Sequence, residues 1–465
     1  MRSMFFLIAA GLLAACDGAG TVAVSPVGNR DGGLLEIIHA SPDAPDVDVL
    51  VEEQLAASSL PFKSGAVFFA PGEVTELEIA GRVPGEGEDA SPFDVGTVTV
   101  IGPELIETPF GSRITVFVAN LIDAIEPIVV TGSLGDVADG QVRIRVVHAA
   151  AIFDPEMVAV FLTAPGAGLD SPTGTLAFGD EFGPFEVAMG EYRIRITAAG
   201  DPETLLFDSG TLNLPGGADL VIAAVASALP DRPLSLLVAD SSGVTEIIDE
   251  GVPATVRVGH FSADAPPIDA RIEVLADGDA ASLMVRNLAF PEVTARERLA
   301  AGDYDVNISP AGAGPEAALI DGGLGLVAGT SYTVVAVGPR ADIDVRVLVD
   351  ETRRIGTEAR LRIFHGAPSA EEVDVYVGLR GTDFAEASPL LEALPFGSET
   401  GFLAVAPGSY DLIVTAAGGD PLTPVIGPIA VELTASGIFT AVAIDASGGG
   451  PPFDLISLDD PLVGD

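Results

Sequence analysis

The sequence predicts an all-β chain built as four tandem antiparallel β-sandwiches behind an export signal. Three observations carry that reading. One unit of about 100 residues recurs four times, marked by His39, His148, His260 and His365, which are spaced 105 to 112 residues apart. Short runs of Val, Ile, Thr, Phe and Tyr alternate with polar residues, and Pro, Gly and Asp clusters separate them every ~8–12 residues. Outside the N-terminal apolar run, no stretch carries a helical period.

The elements follow in chain order. "MRSMFFLIAAGLLAAC" has a charged Arg2, an apolar run from Met4 to Ala15, and then Cys16. That is the n-region and h-region of a secretory signal, too short to span a bilayer as a helix. "LLAAC" resembles the bacterial lipoprotein box, and Cys16 is the chain's single cysteine. Residues 1–15 are therefore expected to be a signal peptide, with Cys16 the lipidated residue and 16–32 a flexible tether. Asp17 resembles the inner-membrane retention signal of enteric bacteria.

The repeats are expected at 33–132, 141–242, 253–350 and 358–460. Each opens on a strand ending in histidine, as in "LLEIIHASPDAPDVDV" and "RLRIFHGAPSAEEVDVYV". A Leu-x-Phe follows at Phe62, Phe178, Phe290 and Phe396, then a glycine turn into a strand, as in "APGSYDLIVT". Late in each unit comes a β-branched or alanine-rich strand: "RITVFVANL", "ADLVIAAVA", "TSYTVVAVG" and "GIFTAVAID". About seven short strands per unit, without crossover helices, suggest a sandwich with its own core. Short linkers between units suggest beads in a semi-extended array.

The chain has 22 Lys and Arg against 68 Asp and Glu, a formal net charge of −46. That balance argues against nucleic acid and against an anionic membrane surface as partners. Lys63 is the only lysine. Acidity of this kind fits either a saline habitat or a codon-biased genome. Hydrophobic content of 48% argues against general disorder.

"HASPDAPDVDVLV", "LPFGSETGFLAVAPGSYDLIVTAAGGD" and "TSYTVVAVG" resemble the domain of unknown function 4397 family of exported bacterial and archaeal proteins. The resemblance covers nearly everything after residue 33 as four copies. The second copy, "HAAAIFDPEMVAV", departs by lacking the Ser-Pro-Asp-Ala-Pro segment. The resemblance implies immunoglobulin- or transthyretin-like sandwiches in the cell envelope, and it implies no catalytic residue.

Among candidate site residues the histidines come first. Strand alternation places His39 with Leu35 and Ile37, and His365 with Leu361 and Ile363, on the core face. The opposite face carries Glu36, Arg143, Arg145, Arg257 and Arg362, which are expected to meet water. Each ring is expected to pin a corner, bonding either turn backbone or the carboxylate nine residues on. Asp48, Asp269 and Asp374 hold that place, and Met157 holds it by count after His148. Asp43, Asp46 and Asp48 are calcium candidates, though they fall short of six ligands. With one histidine per unit and no His-Glu-x-x-His, no other metal and no cofactor is expected. Tyr192, Tyr304 and Tyr410 suggest tyrosine corners or a sugar platform.

No nucleophile or acid–base constellation emerges, so the expected protein is no enzyme. The leading expectation is a lipid-anchored envelope protein, on the periplasmic face or the cell surface. It would act as a scaffold, spacer or adhesion-type binding module toward an envelope protein or glycan. The alternative is a periplasmic accessory module for a small ligand or polysaccharide.

Overall fold

The structure, a computed structural model, describes residues 32–86, 91–150, 155–229, 232–274 and 283–460. The expected signal peptide, Cys16, Asp17 and the tether as far as residue 31 lie outside the described residues.

The first repeat runs β1 (Leu34–His39), β2 (Val47–Val51), β3 (Gln54–Leu60), β4 (Gly65–Phe69), β5 (Val74–Pro84), β6 (Val95–Glu107), β7 (Ser112–Ala119) and β8 (Glu126–Ser133). They form two four-stranded sheets, ordered β4-β1-β7-β8 and β3-β2-β5-β6. We call these the histidine sheet and the aspartate sheet. Leu35, Ile37, Val49, Ile79 and Val116 interleave between them as one apolar cluster. Separate clusters of the same kind fill the other three repeats.

The same strand order recurs in every repeat, and the second adds a fifth strand, Gly243–Ile247, to its histidine sheet. Each unit thus has eight or nine strands rather than about seven. The pairing also departs from wholly antiparallel: β1 lies parallel to β7, from Leu34 beside Arg113 to His39 beside Val118. A parallel pair needs a long crossover, which the intervening β2–β6 supply. Lettered A to H, the sheets read D-A-G-H and C-B-E-F. That is not the ABED/CFG order of immunoglobulin constant domains.

The repeats are not beads on a string. Every residue of β7 is buried, as is every residue of its counterparts Ser331–Val337 and Ile438–Ile444. A strand buried at consecutive positions has both faces covered. The inner face meets the aspartate sheet, and the outer face meets the neighbouring repeat. Ile38, Phe117 and Val130 of repeat 1 pack on Val147, Val221 and Leu237 of repeat 2. Phe261, Val335 and Leu348 of repeat 3 pack on Phe364, Val442 and Leu458 of repeat 4. The repeats therefore pair histidine sheet to histidine sheet, because an apolar outer face must be covered. Gly65 shows how close the approach is: the Val244 side chain lies 2.5 Å from where a Cβ would stand.

This pairing corrects the expectation that the outward charges meet water. Glu36, Arg145, Arg257 and Arg362 are buried, and Arg143 is half-buried. They are paired as they are buried. In the second pair the partners cross: Arg362 of repeat 4 bonds Asp350 of repeat 3 at 2.5 Å, and Arg257 of repeat 3 bonds Asp459 of repeat 4 at 2.8 Å. Arg257 and Arg362 also brace on Thr333 and Thr440, at 2.7 and 3.1 Å. The reciprocity is that of an isologous twofold contact made within one chain. Burial alone would push the Asp350 carboxyl up, but Arg362, Arg296 and Arg257 hold it below its ordinary range. In the first pair Arg113 bonds Glu36 at 2.9 Å within repeat 1 and reaches Asp219 O of repeat 2 at 2.8 Å.

Repeat 1 also touches the far end of the chain. Arg353, in the linker before repeat 4, donates to Pro42 O at 3.0 Å and to Ala44 O, and lies 4.6 Å from the Phe62 ring centroid. Gly356 N–H donates to Asp43 O at 2.7 Å, and Ala406 N–H to Pro92 O at 2.9 Å. The side chain of Phe93 packs on the core of repeat 4. The Ser-Pro-Asp-Ala-Pro turn of repeat 1 is thus a docking point for the linker between repeats 3 and 4.

Arg362→Ala is expected to destabilise the chain by about 1–3 kcal/mol, because the fully buried Asp350 carboxylate loses its partner from repeat 4 and keeps only Arg296, Arg257 and Thr333 of its own repeat. Urea denaturation should show Asp350→Leu costing more than Arg362→Ala, because it takes a carboxylate from Arg362, Arg296 and Arg257 together. A single-variant cost below about 1 kcal/mol would contradict the buried pair.

Candidate functional site

Each histidine ends the first strand of its unit with its side chain in the sandwich interior, and all four are 0–1% exposed. His39 Nδ1 accepts the Ser41 N–H at 3.4 Å, which places the proton on Nε2, and Nε2 donates to Pro45 O at 3.0 Å. His260 repeats this with Ser262 N–H at 3.4 Å and Pro266 O at 3.1 Å. His365 repeats it with Ala367 N–H at 3.4 Å and Glu371 O at 3.0 Å. His148 accepts from Ala150 N–H at 3.4 Å; residues 151–154 are outside the described residues.

Each ring also stands edge-on to the phenylalanine of the Leu-x-Phe landmark. The centroids are 5.9 Å apart for His39 and Phe62, 6.4 Å for His148 and Phe178, 6.4 Å for His260 and Phe290, and 6.1 Å for His365 and Phe396. Burial pushes all four imidazoles below their ordinary value. His39 is lowered to about 3, with the nearby Arg353 guanidinium adding to the effect of burial. In repeats 1, 3 and 4 the ring is held neutral with both nitrogens engaged by backbone, and has no lone pair facing solvent for a metal or a substrate.

The carboxylates nine residues on do not bond the rings. They stand in the aspartate sheet and serve a second repeated device. Asp48 accepts the Ser59 N–H at 2.8 Å, Asp269 the Asn287 N–H at 2.8 Å, and Asp374 the Ala393 N–H at 2.7 Å. Those three donors carry φ of 51°, 54° and 50° and sit where the register between second and third strands shifts. Each aspartate therefore caps the loose N–H of a β-bulge. The second oxygen reaches a glycine amide of the fifth-to-sixth-strand turn, Gly312 at 2.9 Å and Gly418 at 2.7 Å, so three strands are tied together. In repeat 1, Arg82 takes that role at 3.3 Å. The two backbone amides hold the Asp269 carboxyl below the usual carboxylate range.

The second repeat tests the assignment internally. Counting from His148 gives Met157, but strand pairing sets Val158 opposite Leu176 as Val47 is opposite Leu60, so Ala159 occupies the aspartate's place. Its pairing with Thr175 continues without a shift. Where the aspartate is missing, so is the bulge.

The calcium candidates are likewise engaged by donors. Asp43 accepts the Ile122 N–H at 2.9 Å, Asp46 the Ser59 hydroxyl at 3.2 Å, and Asp48 the bulge amide. Among the described residues no group of three or more His, Asp or Glu side chains is placed to hold a metal ion. The tyrosine hydroxyls donate to the carbonyl four residues upstream: Tyr192 to Ala188 at 2.9 Å, Tyr304 to Ala300 at 2.8 Å, Tyr410 to Ala406 at 2.5 Å. Each closes a tyrosine corner.

Fold and corner together define a tandem β-sandwich protein whose recurring polar residues hold turns. The chain belongs to the family described as a domain of unknown function, DUF4397, whose profile matches residues 33–160 and 254–376, together more than half of its length. No curated protein matches. Two solved structures are similar at 11% identity. The Bacillus anthracis TIE protein covers 92% of this chain and 73% of its own, with a TM-score of 0.18. A candidate cell adhesion protein from Bacteroides uniformis covers 46% and 100%, with a TM-score of 0.16. Neither likeness is close enough to carry an argument.

His365→Gln is expected to cost roughly 1–3 kcal/mol at pH 8 by leaving buried backbone unpaired. The unfolded imidazole titrates near about 6.5, while the folded one titrates lower, so unfolding binds a proton below that pH. The histidine's contribution is therefore complete above about pH 6.5 and is lost as pH falls toward the lower folded pKa. Urea melts of wild type and variant should converge between about pH 7.5 and 4.5. A pH-independent difference would show that the ring is not held neutral.

Proposed function

We propose that this chain is a non-enzymatic, lipid-anchored protein of the cell envelope, acting as a surface scaffold, spacer or adhesion-type binding module. The observation that carries the reading is that the recurring polar residues of all four repeats are engaged by backbone or by one another. What remains for function is a sturdy body: two face-to-face pairs, with repeat 1 clasped to the linker before repeat 4 through Arg353. The apolar run ending in Cys16 supports export and lipidation, and a polar tether would hold that body off the membrane. A second reading, a periplasmic accessory module for a small ligand or polysaccharide, is favoured by one feature, an arginine-lined cleft where repeats 2, 3 and 4 meet.

Protease shaving of intact cells separates the two. Loss of the chain from whole cells is expected for a surface module, with Cys16→Ser releasing it into the medium or periplasm. Protection until the outer envelope is opened would move the protein to the periplasm. A Cys16→Ser chain that still fractionates with membranes would remove the lipid anchor from the proposal.

A further inference from the structure

The cleft encloses about 540 Å³, within the ~300–1,000 Å³ of small-molecule sites. Arg232, Arg257, Arg296, Arg298 and Arg354 line it. Five of the chain's 22 cations thus meet in one recess of a protein carrying 68 acids. Only three carboxylates join them in the lining: Glu351, Asp459 and Asp460.

These acids position the arginines together with Asp350 and Asp249 behind the lining: Arg232 lies 3.4 Å from Asp249 and Arg257 3.7 Å from Asp350. Arg257 and Arg296 donate to the same Asp459 Oδ1, at 2.8 and 2.9 Å. Arg296 also reaches Asp350 at 2.7 Å, and Arg354 bonds Asp460 at 2.6 Å. Two guanidiniums drawn to one oxygen repel each other, and the Asp350 carboxylate they share relieves part of that repulsion. Each guanidinium presents five N–H donors in a fixed fork suited to planar and tetrahedral oxyanions.

The walls narrow the chemistry. Leu229, Val252, Pro253 and Ile438 also line the cleft and add apolar surface that a bare inorganic ion would leave unused and a carbon skeleton would cover. An extended polyanion would have to run over the acidic exterior and be repelled. A compact one fits inside the recess.

We propose that this cleft binds a small organic polyanion, a molecule with two or more carboxylates on a compact carbon or sugar skeleton. The inference deepens the binding-module reading and is independent of which face of the envelope holds the chain.

The test is calorimetric titration of the purified full chain with citrate, with digalacturonate and with inorganic phosphate, against sodium chloride of equal ionic strength. Saturable binding of citrate or digalacturonate is expected, the two arms separating a free polycarboxylate from a sugar acid. Arg298→Ala and Arg354→Ala should each weaken it about tenfold or more, with melting of the unliganded variants close to wild type. Arg298 lies at the exposed edge of repeat 3, so its variant keeps the test valid should Arg354→Ala perturb folding. Saturable binding of phosphate alone overturns the organic-acid assignment. The site itself is overturned by no saturable heat from any probe up to about 20 mM, or by binding that both variants leave unchanged. The shaving experiment reads location only, so either result can fail without the other.

Discussion

Burial of the outer face of each histidine sheet is the constraint on which the rest of the molecule depends. A single sandwich of about 100 residues has one inner face to bury, and a strand serving only that face alternates apolar with polar residues. Here the central strands Ser112–Ala119, Asp219–Ala226, Ser331–Val337 and Ile438–Ile444 are buried almost throughout. Such a strand cannot be left facing solvent, so each repeat requires a neighbour. The cross-paired Arg362–Asp350 and Arg257–Asp459 contacts then fix which neighbour and which register. Apolar area supplies attraction without direction; a buried ion pair penalises any misalignment, because a displaced charge loses its partner in a low-dielectric setting.

Within three of the four sandwiches two small devices divide the work of holding the ends of the strands. The histidine fastens the turn after the first strand, and the aspartate fastens the bulge between the second and third. They sit in different sheets and do not touch, although only nine residues separate His39 from Asp48, His260 from Asp269 and His365 from Asp374. Repeat 2 lacks the aspartate, and its third strand pairs without a bulge. That agreement between a sequence difference and a backbone difference makes the aspartate a cause of the local geometry rather than an ornament on it.

Much of this was legible in the sequence. The four-fold repeat, the sandwich and the inward face of each histidine follow from spacing and period alone. The bond from histidine to turn backbone was one of two readings left open. Three things were not legible, for different physical reasons. Glu36, Arg145, Arg257 and Arg362 alternate with apolar residues, so periodicity sends them outward, and period cannot say whether outward means water or another repeat. The signal was present elsewhere, in the run "ITVFVA" and its counterparts, which do not alternate and carry no charged residue. The Phe partner of each histidine was visible as a landmark but lies in another strand, beyond what local spacing can connect. Arg353 docks on a turn some 311 residues away in sequence, and nothing local distinguishes it from its neighbour Arg354.

The charge balance also reads differently once the fold is known. Among the described residues Lys63, Arg113, Arg145, Arg257, Arg353 and Arg362 are buried, six of the chain's 22 cations, against eight buried acids of 68. A larger share of the cations than of the acids is buried, so acids outnumber cations outside by a wider ratio than in the chain as a whole. The same acidity makes an inward-facing cluster of arginines conspicuous: it is where a compact anion escapes the repulsion that the rest of the surface exerts.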